Sequence, residues 1–112
     1  MTPITYYKNA EDPTMRLWWY DDDGTLVNLS AVTSWSLKIG QYGETALLSK
    51  TSGITGAAGS GVDPTGVPNV VVVWAAGDLN VAAGAYVMQL VATSSGRDRT
   101  MTAPFRILNT VN

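Results

Sequence analysis

The chain has 112 residues, a net charge of −2, no histidine and no cysteine. That length makes one domain around one core, and the two missing residue types exclude Ser-His-Asp and Cys-His catalysis, disulfides and most metal chemistry. The seven basic residues stand singly rather than in a stripe, which excludes a nucleic-acid surface, and no apolar run reaches the ~18 residues of a membrane helix.

Hydrophobic residues are 46% of the chain, as in a globular protein. Charged residues are only 14%, where ~25% is usual. Two readings fit that deficit: part of the surface is buried against partners, or the surface is neutral, built from Ser, Thr and Gly. The start, Met1-Thr2-Pro3-Ile4-Thr5-Tyr6, has neither the basic nor the apolar region of a signal peptide. Synthesis in a cytoplasm is therefore expected.

No window repeats apolar residues at helical spacing over three turns, and 11 Gly and 5 Pro break the chain into short runs. Ile4 to Lys8 is the first predicted strand, followed by a turn at Asn9-Ala10-Glu11-Asp12-Pro13. Thr14 to Tyr20 is the second. Its alternation places Met15, Leu17 and Trp19 on one face and Arg16, Trp18 and Tyr20 on the other. Asp21-Asp22-Asp23-Gly24 turns the chain into a short run at Leu26, Val27 and Leu29. Thr33 to Ile39 alternates cleanly, with Trp35, Leu37 and Ile39 inward, and Trp35 is expected to anchor the core. Gly40 to Gly43 turns towards a hairpin partner at Thr45 to Lys50.

Thr51 to Pro68 is rich in Gly, Ala, Ser and Thr and reads as a long flexible loop, mobile or ordered by a partner. Val70-Val71-Val72-Val73-Trp74 is the strongest strand signal, with burial expected on both faces, or on one face by a neighbour. Ala75 to Asn80 has room for one helical turn. Tyr86 to Thr93 and Thr100 to Leu108 are the last strands, joined by Ser94-Ser95-Gly96-Arg97-Asp98. Pro104 inside the final run argues for an edge strand or a bulge. Seven or eight short strands at this spacing predict a single all-β domain over residues 1–112, an antiparallel sandwich.

Gly84-Ala85-Tyr86 fits the tyrosine corner of immunoglobulin-like sandwiches, where the hydroxyl folds back to the preceding backbone. Asp21 to Gly24 reads as a hairpin turn; as a calcium loop it places Val32 where the twelfth-position glutamate belongs. Gly53 to Gly61 lacks the Lys-Ser/Thr ending of a phosphate loop. Glu11, Glu44, Asp63, Asp78 and Asp98 fall in turns or loops, where carboxylates are solvated. No catalytic, cofactor or metal residues are assigned, and an enzyme is not expected.

The aromatics are the functional candidates. Tyr6 and Tyr7 are adjacent, as are Trp18 and Trp19, so one of each pair points away from the core. Because Arg is rarely buried unpaired, the Arg16 face is the outer one. Tyr7, Arg16, Trp18 and Tyr20 are the candidate interface residues. An outward aromatic has three uses: an interface anchor, a sugar-stacking platform, or plain cross-strand packing.

The ordered features Asp23-Gly24, Leu29-Ser30-Ala31, Trp35-Ser36-Leu37, Trp74, Leu79, Gly84, Tyr86, Phe105 and Ile107 together resemble a family. It is that of the small immunoglobulin-like modules of tailed-bacteriophage virion proteins, with siphophage upper-baseplate N-terminal domains as the nearest example. The resemblance implies an immunoglobulin-like sandwich and a virion structural protein made in the host cytoplasm. Such a module docks in many copies on a baseplate, tail fibre or capsid, with other virion proteins and copies of itself as partners. Neither nucleic acid nor membrane is implied. The rival reading is a carbohydrate-binding module that stacks a glycan on Trp18, Tyr20 or Tyr7.

Overall fold

The computed structural model describes residues 3–8, 10, 14–62 and 65–109. Every regular element among them is a strand: β1 (Ile4–Tyr7), β2 (Met15–Leu17), β3 (Ser34–Gly40), β4 (Leu48–Lys50), β5 (Ile54–Gly56), β6 (Val70–Val72), β7 (Gly84–Ser94) and β8 (Arg97–Leu108). They form a five-stranded sheet in the order β1-β8-β7-β3-β4 and a three-stranded sheet in the order β2-β6-β5. Lettered A′, B, C, C′, D, E, F and G along the chain, the sheets are A′-G-F-C-C′ and B-E-D, the arrangement of an immunoglobulin-type sandwich. All pairs are antiparallel except one: β1 runs parallel to β8, with Ile4 opposite Phe105. Apart from Ala10, the turn expected at residues 9–13 lies outside the described residues.

Period-two alternation builds the core. Leu37 and Ile39 of β3, Tyr86, Met88, Leu90 and Ala92 of β7, and Ala103, Phe105 and Ile107 of β8 are buried. Met15, Val70 and Val72 face them from the smaller sheet, and Leu79 packs in from the β6–β7 connection. An aromatic cluster ties the sheets together. Tyr6 stacks on Phe105 at 5.9 Å between ring centroids and meets Trp74 edge-on at 5.4 Å. Such pairs add about 0.5–1.5 kcal/mol beyond the area they bury. Burial raises the Tyr6 hydroxyl pKa, and the neighbouring Trp74 indole works the other way.

The tyrosine corner is present: the Tyr86 hydroxyl donates to the Ala82 carbonyl at 2.6 Å. The β7–β8 turn is two residues long, and both Ser95 (φ 53°) and Gly96 (φ 75°) are left-handed, as a type I′ hairpin requires.

Several local expectations give way to the tertiary structure. Trp35 has the predicted parity but is only half-buried, because it lies near the end of β3 and packs at the margin of the core. Of the two arrangements open to the Val70–Trp74 run, the structure shows burial of one face: Val70, Val72 and Trp74 are buried while Val73 is 53% exposed. Residues 75–80 form two overlapping turns rather than a helical turn, closed by Asp78 N–H to Ala75 O and Asn80 N–H to Gly77 O. Pro104 lies in a strand flanked on both sides, yet β1 begins to pair only at Phe105, so its edge character is local.

The largest correction concerns Thr51 to Pro68. This stretch contains β5, which pairs with β6 from Ile54↔Val72 to Gly56↔Val70. Beyond it, Ser60 and Val67 exchange backbone bonds at 2.9 and 2.7 Å, and Ala57 bridges Asn69 and Leu29. The segment is thus a strand with further backbone pairing among its described residues, not a plain loop. Its small residues permit close approach: a Cβ at Gly56 would lie 2.7 Å from Trp35 Cζ2 and closer still to the Leu29 carbonyl oxygen.

Candidate functional site

Arg16, Trp18 and Tyr20 follow one another along β2 and its continuation, at the edge of the smaller sheet. Arg16 is exposed and Met15 and Trp19 are buried, as parity predicted. Strand pairing stops at Leu17, however, and the alternation loosens there. Trp18 is consequently half-buried rather than exposed. The Arg16 guanidinium carbon lies 5.3 Å from the Trp18 ring centroid, a cation–π contact. The Trp18 indole N–H is buried without a hydrogen-bond partner among the described residues. Tyr20 is 38% exposed and bridges to Leu26 across the acidic turn.

What ends β2 is a residue that the sequence reading passed over. Asn69 is fully buried. Its Nδ2 donates to the carbonyls of Trp19 and Val27, both at 2.8 Å, and its Oδ1 accepts the Trp19 N–H at 2.7 Å. The amide holds the Trp18–Tyr20 segment against the returning Val27 and the start of β6. A polar residue between Pro68 and a valine run was the available signal.

The turn itself is as predicted. Gly24 has φ 86°, Asp21 N–H donates to Thr25 O, and Thr25 N–H donates to Asp23 Oδ1 at 3.0 Å. That bond and one with the Thr25 side chain hold the Asp23 carboxyl below its usual pKa. Among the described residues, no group of three or more Asp or Glu is placed to hold a metal ion. The candidate interface is therefore one run, Arg16-Trp18-Tyr20. Tyr7, 53% exposed, stands apart from it on the larger sheet, opposite Leu108.

No protein family, curated protein or solved structure matches this chain.

The structure adds two concave regions. One, of about 520 Å³, lies on the outer face of the larger sheet. Thr102, Gln89, Lys38 and Ser49 form a polar row across four strands there, and the β3–β4 connection, with Gln41, Tyr42 and Glu44, rises beside them. Tyr42 is 79% exposed. The other, of about 780 Å³, separates the tip of the β7–β8 hairpin from residues 27–32. Neither was legible in the sequence, because each joins residues more than 40 positions apart.

Charge burial occurs once among the described residues. Lys50 Nζ meets Asp78 Oδ2 at 2.8 Å, with the two side chains 5% and 19% exposed. The same oxygen accepts the Ala75 N–H at 2.8 Å. The pair fastens the end of β4 to the β6–β7 connection and is structural.

Proposed function

We propose that this chain is a structural protein of a bacteriophage particle, a small sandwich docked in many copies on a tail tip, baseplate, fibre or capsid. The observation that carries the reading is the Arg16-Trp18-Tyr20 run along edge strand β2 and its continuation, with the Arg16 guanidinium over the half-buried Trp18 ring. Arg, Trp and Tyr are the residue types that dominate interface energetics, and here they follow one another along five residues. The low charge content agrees, since interface centres are depleted of charge. Partners are other virion proteins and further copies of the chain, and the location is the virion.

The test uses virions of the phage that carries the gene. The unmodified protein is expected in purified particles. Trp18→Ala with Tyr20→Ala is expected to fold and to be lost from them. A double variant that incorporates like the unmodified protein, or particles that lack the protein altogether, would overturn the reading.

A second reading, glycan binding, is favoured by a different residue from those first considered. Tyr42 offers an open ring beside Lys38, Gln41, Glu44, Gln89 and Thr102, the combination of stacking surface and hydrogen-bonding groups that sugars use. Amide resonances near Tyr42 and Gln89 would shift with host-surface polysaccharide, and Tyr42→Ala would abolish the shifts. An unmoved spectrum would end this reading.

A further inference from the structure

The cleft at the hairpin tip carries two arginines and one aspartate. Leu90, Ala92 and Ser94 of β7 lie on the core-ward side of the hairpin, and their cross-strand partners are Met101, Arg99 and Arg97. Both arginines therefore project on the side that overhangs residues 27–32, and both line the cleft with Val27, Leu29, Val32 and Ser94. Ser94 Oγ donates to Ala31 O at 3.2 Å and fastens the hairpin to the opposite wall. Asp98, between the two arginines, has the opposite strand parity and accepts the Thr93 hydroxyl at 2.7 Å, but it too lines the cleft. Arg97 and Arg99 are exposed and take part in no ion pair among the described residues. Two such guanidinium groups, against the single carboxylate of Asp98, leave the concavity net positive and suited to an anion.

The same chain carries the complementary group. Asp21, Asp22 and Asp23 are three of its nine acidic residues, all exposed, on one turn. The turn stands at the end of a short ladder in which Val27 bonds Trp19, Leu26 bridges Tyr20 and Thr25 bonds Asp21. Val27 at the base of that ladder is also a wall of the arginine cleft. Acidic tip and basic cleft thus belong to one loop cluster, yet no ion pair joins them within the molecule among the described residues.

We propose that the Arg97–Arg99 cleft receives the Asp21–Asp23 turn of a second copy of this chain. Because a single loop cluster supplies both halves, two copies meeting through it exchange the contact reciprocally, which closes a two-fold dimer. The contact stands on charge complementarity and does not depend on where the protein is used.

Sedimentation equilibrium of the whole chain tests it, in about 0.05 M and about 0.5 M NaCl, on either side of the ionic strength that screens exposed charges beyond roughly 10 Å. Dimer is expected at low salt, weakened about tenfold or more at high salt. Arg97→Glu with Arg99→Glu is expected to be monomeric at both. Asp21→Lys with Asp22→Lys is likewise expected to be monomeric; it leaves Asp23 to hold the turn. All four changes in one chain restore the opposite charges and are expected to restore the dimer. All four positions are exposed, and an unchanged thermal melt confirms folding. An unmodified chain that stays monomeric at low salt overturns the proposal, as does an arginine variant that dimerises normally or a folded fourfold variant that stays monomeric. Dimerisation without presence in virions would refute the virion reading alone.

Discussion

Replacing Asn69 with alanine tests the account of how the Trp18–Tyr20 segment is held. The side chain is fully buried and makes three hydrogen bonds to backbone groups about 40 to 50 residues away. Alanine leaves the Trp19 N–H and the Val27 carbonyl without these bonds; the Trp19 carbonyl keeps its bond from Val27 N–H at 3.0 Å. An unsatisfied buried polar group costs about 1–3 kcal/mol, and the small void adds to that. Two such groups and the void make about 3–5 kcal/mol, a large share of the 5–15 kcal/mol typical of a domain. At about 2 cal/mol/K of unfolding entropy per residue, this corresponds to a fall in Tm of roughly 12–20 °C. Urea and thermal melts followed by tryptophan fluorescence measure it. Asn69→Asp sharpens the test. It keeps an acceptor for the Trp19 N–H but aims a carboxylate at two carbonyl oxygens. At pH 7 it is expected to be at least as damaging as alanine. A carboxyl facing carbonyls has a raised pKa in the folded state, so its contribution is present at low pH and lost as pH rises through that pKa. The aspartate variant should therefore gain stability on acidification while the alanine variant does not. A loss below about 1 kcal/mol for alanine, or an aspartate variant as stable as the original at pH 7, would refute the reasoning.

Three further outcomes are expected. Burial raises the Asp78 pKa, but the bond from Lys50, the Ala75 N–H and the Lys50 charge outweigh it and hold the group below 3.8 when folded. Its stabilisation is thus present above that value and lost as pH falls below it, and the urea midpoint of Asp78→Asn should decline less there than that of the original; parallel acid limbs would refute this. Gly56→Ala forces a Cβ against Trp35 and the Leu29 carbonyl and should cost about 1–3 kcal/mol in a denaturant melt, or more where the backbone cannot yield. In the β7–β8 turn, Ser95→Asn should raise Tm, since asparagine suits the first left-handed position of a type I′ turn, while Gly96→Ala should lower it by about 1–2 kcal/mol of stability; opposite signs would mean another turn type.

The features legible in the sequence are those settled within a few residues. Asp21 to Gly24 and Ser95-Gly96 announce turns because only certain residues adopt left-handed backbone cheaply. The parities of β2 and β3 follow from strand geometry, and the tyrosine corner closes over four residues. The outward Arg16 and Tyr20 of the candidate interface were legible for the same reason. The rest depended on partners distant in the chain. Trp18 is half-buried because Asn69, roughly 50 residues on, ends the strand before it. Lys50 is buried because Asp78 meets it across 28 positions. Ile54–Gly56 in the Gly-rich stretch is a strand because it pairs with β6, with Gly56 close against Leu29 and Trp35, and the arginine cleft exists because the β7–β8 tip overhangs residues 27–32. Periodicity and turn chemistry are properties of a short segment, whereas burial, pairing and concavity are properties of which segments meet, and that the tertiary structure alone decides.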